Sequence, residues 1–327
     1  MTVAAPTDAS HAEWFAQRFD EVVRNVEQVI RGKNEAIRLC LVCLFAEGHL
    51  LLEDVPGTGK TSLARALATS VGASWNRIQF TPDLLPSDVT GVTIYNQATQ
   101  QFQFHQGPVF AGIVLGDEIN RASPKTQAAL LEVMEERQVT VDATSYPVPR
   151  PFMVIATQNP IDMDGTYQLP EAQLDRFLIR AAIGYPDIDS EVDMIFTHRL
   201  GNAQDQLAAV LSPEHVMSMI NIANEVHVAP EIARYAASIC HATRGLPQAR
   251  LGASPRASLA LVRAARAHAA SIGWRYVSPE HVKAVAVPVL SHRLLLTPEA
   301  ETQGYTGESL AQQVLDATPV PTAPAAP

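Results

Sequence analysis

The stretch from His49 to Thr61 constrains the fold of this 327-residue chain more than any other part of it. It reads HLLLEDVPGTGKT, in which an apolar run typical of a buried parallel strand is followed by a glycine-containing turn. A helical pattern begins directly after the turn. Backbone N–H groups of such a turn and the dipole of the following helix together favour phosphate groups. The stretch therefore predicts an α/β fold with a nucleotide site.

Within this turn, Lys60 is expected to bridge the β- and γ-phosphates, and the Thr61 hydroxyl is expected to hold magnesium. One residue departs from the usual pattern, because Asp54 stands where most phosphate loops have glycine. The alternative for the loop alone is an ordinary strand–turn–helix with a surface lysine. The predicted nucleotide-binding set in this segment is Pro56, Gly57, Thr58, Gly59, Lys60, Thr61 and Ser62.

Polar side chains also follow two later apolar strands, and they add candidates for catalysis. Asp117 and Glu118 come at the end of one strand, and Asn159 follows the other. Ligands bind at the carboxyl ends of parallel strands, so all three are expected near the phosphate loop. We expect Asp117 to hold magnesium with its waters, Glu118 to polarise the attacking water, and Asn159 to orient it. The alternatives are a surface Asp-Glu pair and a turn-forming asparagine before proline.

Composition limits the classes of partner that the chain can bind. The net charge is −10 and the pI is about 5.5, which argues against a broad nucleic-acid surface. The longest apolar stretch is interrupted by Glu47, Gly48 and His49, so no membrane span is predicted. The N-terminus lacks the basic start and apolar run of a signal peptide, and a cytoplasmic protein is expected. Cys40-x-x-Cys43 could suggest redox or metal chemistry, but the sequence has no second Cys/His pair at zinc spacing. Cys40, Cys43 and Cys240 are therefore expected to be buried, reduced thiols.

The order of the patterns predicts a strand-and-helix domain followed by a smaller all-helical domain. Residues 1–11 are expected to be a flexible N-terminus, and residues 12–185 an α/β core with a parallel sheet. The core carries two predicted hairpins, near residues 89–106 and 138–149. Residues 186–300 are the predicted helical domain, and residues 301–327 a C-terminal segment that ends in a disordered Pro/Ala-rich tail.

Two stretches carry a resemblance to a known family. Residues 116–137 read GDEINRASPKTQAALLEVMEER, and residues 156–177 read ATQNPIDMDGTYQLPEAQLDRF. With the phosphate loop, they resemble the MoxR family of AAA+ ATPases, which is related to the magnesium-chelatase ATPase subunit. The resemblance extends from about Phe19 to Pro319. It implies an AAA+ P-loop core with a helical lid, and hydrolysis of ATP with Mg²⁺.

The resemblance also implies roles for individual residues. Asn159 corresponds to sensor 1, Arg176 to the arginine finger that reaches a neighbouring subunit, and Arg256 to sensor 2 on the lid. Val29 and Ile30 lie where such ATPases cover the adenine. Alternatives stay open, because Arg176 could form an ion pair within the chain, Arg256 could cap a lid helix, and Val29 and Ile30 could be core residues. The implied catalytic set therefore comprises Lys60, Glu118, Asn159 and Arg176.

The biological task is implied only by the resemblance. Members of the family resemble ring-shaped chaperones, so a homo-oligomer, most simply a hexamer with Arg176 acting in trans, is expected. The work expected of it is remodelling, maturation, or metal or cofactor insertion of a client protein, with a partner that carries a von Willebrand factor A domain. One alternative is a nucleic-acid motor or transcription activator on the same AAA+ core. Another is a nucleotide switch that does not hydrolyse.

Overall fold

The computed structural model describes residues 8–55, 57–159, 167–186, 188–189, 191–192 and 206–321. Pro56, residues 1–7 of the expected flexible N-terminus and residues 322–327 of the expected tail lie outside the described residues. So does the segment 160–166 between the two halves of the second family stretch.

The N-terminal part of the chain alternates helices and strands. Its helices are α1 (Asp8–Glu27), α2 (Asn34–Phe45), α3 (Lys60–Ser70), α4 (Pro86–Thr90), α5 (Pro124–Glu136) and α6 (Glu171–Leu174). Its strands are β1 (Leu50–Glu53), β2 (Trp75–Gln79), β3 (Gly91–Asn96), β4 (Gln101–Gln106), β5 (Ile113–Asp117), β6 (Gln138–Val141), β7 (Thr144–Pro147), β8 (Met153–Gln158) and β9 (Ile179–Ala181).

Five of these strands form one parallel sheet in the order β2-β5-β8-β1-β9. The strand that precedes the phosphate loop, β1, therefore lies between β8 and β9, and β5 lies between β2 and β8. All five carboxyl ends point to one edge of the sheet, which brings the polar residues that follow β1, β5 and β8 together. This parallel sheet with helices confirms the predicted fold class.

Both faces of the sheet are covered, which explains why its strands are apolar without alternation. Leu50 and Leu52 belong to a large hydrophobic cluster with α1, α2, α3 and helices of the C-terminal part. Leu51, between them, belongs to a second cluster that includes residues of α5. Successive side chains of a strand point to opposite faces, so one Leu-Leu-Leu run supplies both layers.

The C-terminal part is mainly helical. Its elements are α7 (Pro213–Glu225), α8 (Pro230–Thr243), α9 (Pro255–Ser271), α10 (Pro279–Leu290), α11 (Pro298–Thr302) and α12 (Gly307–Ala317), with short strands β10 (Ala249–Leu251) and β11 (Leu295–Leu296). The antiparallel pair β10–β11 was not predicted from the sequence, because two and three residues are too few to show a period. Helix α9 packs on α10, α7 and α8 and also on α1 and α2, so this part is joined to the core.

The two predicted hairpins are present as β3–β4 and β6–β7. Phe104 of the first hairpin stacks on Tyr146 of the second, with ring centroids 4.3 Å apart. Nearer the tip of the first hairpin, Tyr95 and Phe102 form an edge-on pair at 5.2 Å, and Phe102 is 74% exposed. The first hairpin therefore presents aromatic surface to solvent while its base contacts the second hairpin.

The three cysteines are buried and free, as the sequence predicted. Burial raises the pKa of the Cys40 thiol to about 12 and raises the pKa values of Cys43 and Cys240 as well. None of the three is therefore a reactive thiolate at neutral pH. Among the residues that the structure describes, no helix is long and apolar enough to cross a membrane.

A buried histidine at the start of β1 makes the stability of the fold depend on pH. His49 Nε2 lies 3.0 Å from the Met134 carbonyl oxygen, and Val154 N donates to its Nδ1 at 3.0 Å. Burial lowers the pKa of His49 from 6.5 to about 4. Only the unfolded chain then binds a proton at His49 between these values, so stability falls as the pH drops from 6.5 towards 4. The expected loss at this site is roughly 3 kcal/mol across the window.

This loss can be measured by urea unfolding of the wild type and of His49→Gln at pH 7 and pH 5. The variant is expected to be less stable at pH 7, because the Gln side chain does not reproduce both hydrogen bonds of the ring. Its stability should nevertheless change less with pH than that of the wild type. Parallel pH dependences of the two proteins would show that another group, such as the buried His292, controls the acid transition.

Candidate active site

The phosphate loop joins β1 to α3 through two glycines with positive φ. Gly57 has a φ of +84° and Gly59 a φ of +87°, a region that residues with a Cβ rarely enter. Lys60 is the first residue of α3, and its Nζ donates to the carbonyl oxygens of Asp54 and Val55 at 2.7 and 2.9 Å. The lysine is thus held across the loop, at the N-terminus of the helix, where an anion is favoured.

The structure gives a physical reason for Asp54 in place of the usual glycine. Its Oδ1 accepts a hydrogen bond from Val55 N at 2.8 Å, and its Oδ2 accepts from Ile183 N and Gly184 N at 2.8 and 2.6 Å. The buried carboxylate therefore satisfies backbone donors beyond the end of β9 and fastens the phosphate loop to that segment. Asp54 has a structural role that glycine could not fill.

A cavity of about 380 Å³ opens at the carboxyl edge of the sheet, over the phosphate loop. It brings together the predicted residues from three strand ends, although they lie up to 102 positions apart in the chain. The residues lining it are Gly57, Gly59, Lys60, Thr61, Ser62, Arg77, Asp117, Glu118, Thr157 and Asn159. Arg77 and Thr157 were not predicted from the sequence.

Both oxygens of the Asp117 carboxylate are engaged by neighbouring side chains. Thr157 donates its hydroxyl to Oδ1 at 2.6 Å, and Arg77 donates Nη2 and Nε to Oδ2 at 2.6 and 3.2 Å. Thr157 ends the buried part of β8, the strand paired with β5, so its hydroxyl could have been suspected from the strand prediction. Arg77 lies on β2, whose pairing with β5 could not be read from the sequence.

Glu118 has an unusual backbone conformation next to Asp117. Its φ and ψ are 57° and 50°, in the left-handed region that residues other than glycine seldom occupy, and its N–H donates to Thr157 Oγ1 at 2.9 Å. Such strain is commonest at functional sites. The Glu118 carboxylate accepts from Gln79 Nε2 at 3.0 Å and from Arg121 Nη1 at 2.9 Å. Arg121, to which the sequence assigned no role, thus contacts the candidate catalytic base.

A buried glutamine fixes the loop that follows Glu118. Gln127 of α5 donates its Nε2 to the carbonyl oxygens of Ile119, Ala122 and Tyr167 at 3.1, 3.2 and 3.1 Å. The loop after the two carboxylates and the segment before α6 are therefore held by one side chain. Gln127 lies in the family stretch but had no predicted role, and its contact with Tyr167, 40 positions away, could not be read from the sequence.

Residues predicted at the adenine lie beside the phosphate loop. A methyl carbon of Ile30 is 3.8 Å from the position that a Cβ on Gly59 would take, and the Ile30 side chain is buried. Val29 is half-buried and packs on the large hydrophobic cluster. Both are therefore adjacent to the loop and also part of the core, so their position fits either of the roles considered for them.

The structure does not bring Arg176 and Arg256 into the phosphate cavity of their own chain. Among the described residues, those that line the phosphate cavity do not include Arg176 or Arg256. Both instead form ion pairs with Glu135, near the end of α5. Arg176 Nη2 lies 3.0 Å from Glu135 Oε2, and Arg256 Nη2 contacts Glu135 Oε1. They line a different cavity of about 740 Å³, where Arg263 and Arg266 also lie. The two arginines predicted to contact phosphate thus form one cationic group elsewhere on the surface.

The residues at the phosphate cavity fit a magnesium ion. The Thr61 hydroxyl and the Asp117 carboxylate face the same space as Lys60, and both are the hard oxygen donors that Mg²⁺ prefers. Magnesium is usually bound by one or two carboxylates together with phosphate oxygens and water, which agrees with so small a donor set.

A parallel sheet with the order described, a glycine loop at the start of a helix, and an Asp-Glu pair at the next strand end define a P-loop ATPase with a C-terminal lid. Comparison with family models agrees. The model for the ATPase family associated with various cellular activities (AAA) matches residues 49–179, and the AAA lid domain model matches residues 241–314.

Relatives extend this likeness over nearly the whole chain. The chain is 40% identical over 317 residues to chaperone MoxR1 of Mycobacterium tuberculosis, covering 94% of this chain and 84% of the relative. It is 33% identical to protein MoxR of Paracoccus denitrificans, over 97% and 100% of the two chains. A crystal structure of a protein from Cytophaga hutchinsonii, assigned as an ATPase, superposes with a TM-score of 0.89 at 38% identity, covering 96% and 98%. The chain belongs to the MoxR family of AAA+ ATPases and is an ATP hydrolase.

Proposed function

We propose that this ATPase forms a ring, most simply a hexamer, that uses ATP hydrolysis to remodel a client protein. The work comprises remodelling, maturation, or metal or cofactor insertion, in company with a protein that has a von Willebrand factor A domain. The likeness to chaperone MoxR1 supports the chaperone part. A likeness to the magnesium-chelatase 38 kDa subunit of Acidiphilium rubrum, 30% identical over 203 residues, supports the insertion task. The cytoplasmic location remains a prediction.

The residues of the phosphate cavity supply the hydrolytic chemistry in this proposal. Lys60 leaves the loop carbonyls for the β- and γ-phosphates, Glu118 accepts a proton from the attacking water, and Asn159 orients that water. Thr61 and Asp117 would hold magnesium, which would supply positive charge at the phosphate groups. These groups position and neutralise, so most of the rate comes from electrostatics rather than covalent chemistry.

A neighbouring subunit is needed to complete this site. Arg176 and Arg256 lie together on Glu135 and not in their own phosphate cavity. A partly exposed ion pair of this kind contributes only about 0–1 kcal/mol, so the arginines can exchange Glu135 for another anion. We place the γ-phosphate of the next subunit there. The revision to the sequence prediction is that Arg256 acts in trans beside Arg176.

The exposed aromatic pair Tyr95–Phe102 carries the proposal that the client is a protein. Phe102 is 74% exposed and adjoins the 48% exposed Tyr95, and contiguous exposed apolar side chains are typical of surfaces that bind apolar partners. The hairpin sequence from residue 91 to 106, GVTIYNQATQQFQFHQ, contains no lysine or arginine, so it cannot neutralise a phosphate backbone. Apolar and aromatic side chains without positive charge suit an extended polypeptide better than a nucleic acid.

A chain of contacts joins this hairpin to the hydrolytic residues. Helix α5 begins a few residues after Glu118, and Thr126 of that helix donates its hydroxyl to the Leu84 carbonyl oxygen at 2.6 Å. Helix α4 follows directly, and Val109 N donates to the Val89 carbonyl oxygen at 3.3 Å, at the base of the hairpin. Movement around Glu118 can therefore reach the hairpin through α5 and α4.

The Phe102→Ala substitution should separate client binding from ATP hydrolysis. Phe102 is remote from the phosphate cavity and contributes little to the core, so basal turnover and the melting temperature should stay near wild type. In the background of Glu118→Gln, which is expected to bind ATP and stall, a tagged chain is captured from native lysate with ATP and magnesium. The Glu118→Gln single variant should retain client proteins that the Glu118→Gln, Phe102→Ala double variant loses.

Thr99→Ala, in the turn of the same hairpin, is a matched control that should retain the clients. Lys60→Ala, which should not bind nucleotide, should retain none. Equal capture with and without Phe102 would contradict the role of the hairpin. Strong, salt-sensitive stimulation of the wild-type ATPase by single- or double-stranded DNA would instead favour the nucleic-acid motor.

A further inference from the structure

Arg77 occupies one oxygen atom of the Asp117 carboxylate in the phosphate cavity. The Arg77 guanidinium donates two hydrogen bonds to Asp117 Oδ2, and the other oxygen of that carboxylate accepts from Thr157. Asp117 is 8% exposed, so its charge is largely out of water and depends on these partners. Oδ2 is therefore the oxygen at which magnesium, or one of its waters, would compete with the guanidinium.

Arg77 has a second hydrogen-bond partner, so its contact with Asp117 can break while another contact remains. Its side chain is 45% exposed and lines the same cavity as Lys60 and Thr61. Its Nη2 also donates to Gln79 Oε1 at 2.7 Å, and Gln79 in turn donates to Glu118. Arg77 and Gln79 are two positions apart on β2, so their side chains emerge on one side of the strand. A guanidinium released from Asp117 keeps Gln79 as a partner.

The negative charge of Asp117 needs a nearby cation, which can be an arginine of the chain or a divalent metal ion. A carboxylate at the wall of a cavity that takes a polyphosphate repels the ligand unless a positive charge lies between them. Arg77 supplies that charge from the chain itself. A divalent ion bound with the nucleotide would supply the same charge from outside, and the arginine would then be redundant at this atom.

We propose that Arg77 is a positioning residue that neutralises Asp117 in the absence of metal and gives up Asp117 Oδ2 when magnesium-bound nucleotide occupies the cavity. Replacement of Arg77 by magnesium at Asp117 would also affect the hydrogen bond between Gln79 and Glu118, because the Arg77 guanidinium contacts both Asp117 and Gln79. This inference rests on the proposed magnesium site but not on the identity of a client.

The test compares nucleotide affinity with and without metal in wild type and in Arg77→Gln. The probe is a fluorescent, non-hydrolysable ATP analogue, mant-AMPPNP, titrated in excess Mg²⁺ or in EDTA. Removal of the arginine should weaken binding in EDTA by roughly tenfold, since one nearby positive charge is lost and Asp117 is left unpaired. In Mg²⁺ the loss should be under about threefold, because the metal replaces the charge. Arg77→Lys should recover most of the affinity in EDTA.

Asp117→Asn supplies the second side of a double-mutant cycle. With the carboxylate neutral, Arg77→Gln should no longer weaken binding in EDTA beyond a few-fold.

Equal losses of nucleotide affinity in Mg²⁺ and in EDTA would overturn the proposed exchange and assign Arg77 to direct phosphate binding. If Arg77→Gln binds nucleotide as tightly as the wild type in both conditions, the Arg77–Asp117 ion pair has no role in nucleotide binding, and the proposal is wrong. Wild-type affinity that is the same in Mg²⁺ and EDTA would instead contradict the magnesium site itself, and melting temperatures report whether each variant is folded.

Discussion

Replacing Glu118 with glutamine is expected to lower the rate of ATP turnover by about 10²–10⁴-fold, the usual contribution of a general base. Glutamine has the same shape but cannot accept a proton from water. Its amide can still accept from Arg121 and contact Gln79, so the local structure should persist. The affinity for nucleotide should change only a few-fold, since Lys60, Thr61 and Asp117 are untouched. Phosphate release and fluorescent-nucleotide binding measure the two quantities separately.

Two comparisons make this result specific to Glu118. Arg121→Ala removes one hydrogen-bond partner of the carboxylate but not the base, so its effect on turnover should be much smaller. Lys60→Ala should lose nucleotide affinity as well as turnover. If Glu118→Gln hydrolyses ATP at the wild-type rate, another group activates the water, and the assignment of the base is wrong.

Replacing Arg176 with alanine is expected to lower turnover by about 10³–10⁵-fold, the contribution typical of an arginine finger. The same chain should bind nucleotide normally, because Arg176 lies outside its own phosphate cavity. The trans arrangement makes a stronger prediction for mixtures. Lys60→Ala subunits keep Arg176 but have a defective phosphate loop, and Arg176→Ala subunits have the opposite defect. Mixing the two inactive proteins should restore part of the activity, since some interfaces then pair an intact loop with an intact finger.

Glu135→Gln is the matched control for the ion pair itself. It removes the charge that Arg176 and Arg256 contact but leaves both arginines in place. Stability should change by no more than about 1 kcal/mol, and turnover should remain high. A Glu135→Gln variant as inactive as Arg176→Ala, with no recovery in the mixture, would show that Arg176 serves only as an intrachain partner. Arg256→Ala should behave like Arg176→Ala if both arginines act on the neighbour.

The sequence predicted those features that are encoded locally. The phosphate loop was evident from an apolar run, two glycines and a Lys-Thr pair, because the backbone conformation there requires those residue types. The start of helix α5 is likewise local, because Ser123 caps it and Pro124 fixes its first turn. The hairpins followed from alternation around short turns.

Contacts between distant segments were missed for a corresponding reason. No role was predicted for Arg77, since nothing near it in the sequence indicates that β2 pairs with β5. Asp54 was noted as a departure from the usual loop pattern. Its role could not be predicted, because the backbone donors it satisfies lie 129 and 130 positions later. Arg256 was expected near the phosphates, and the packing of the lid on the core placed it on Glu135 instead.

By itself, the sequence determined the class of protein and predicted most of the residues that line the phosphate cavity, because a phosphate loop is a short, contiguous piece of backbone. Tertiary structure decided which charges meet. The order of strands in the sheet brings Arg77 and Thr157 onto Asp117. The packing of the lid on the core brings Arg256 to Glu135, the same carboxylate that Arg176 contacts. Charge interactions act through space over a few ångströms, whereas the sequence records only neighbours along the chain.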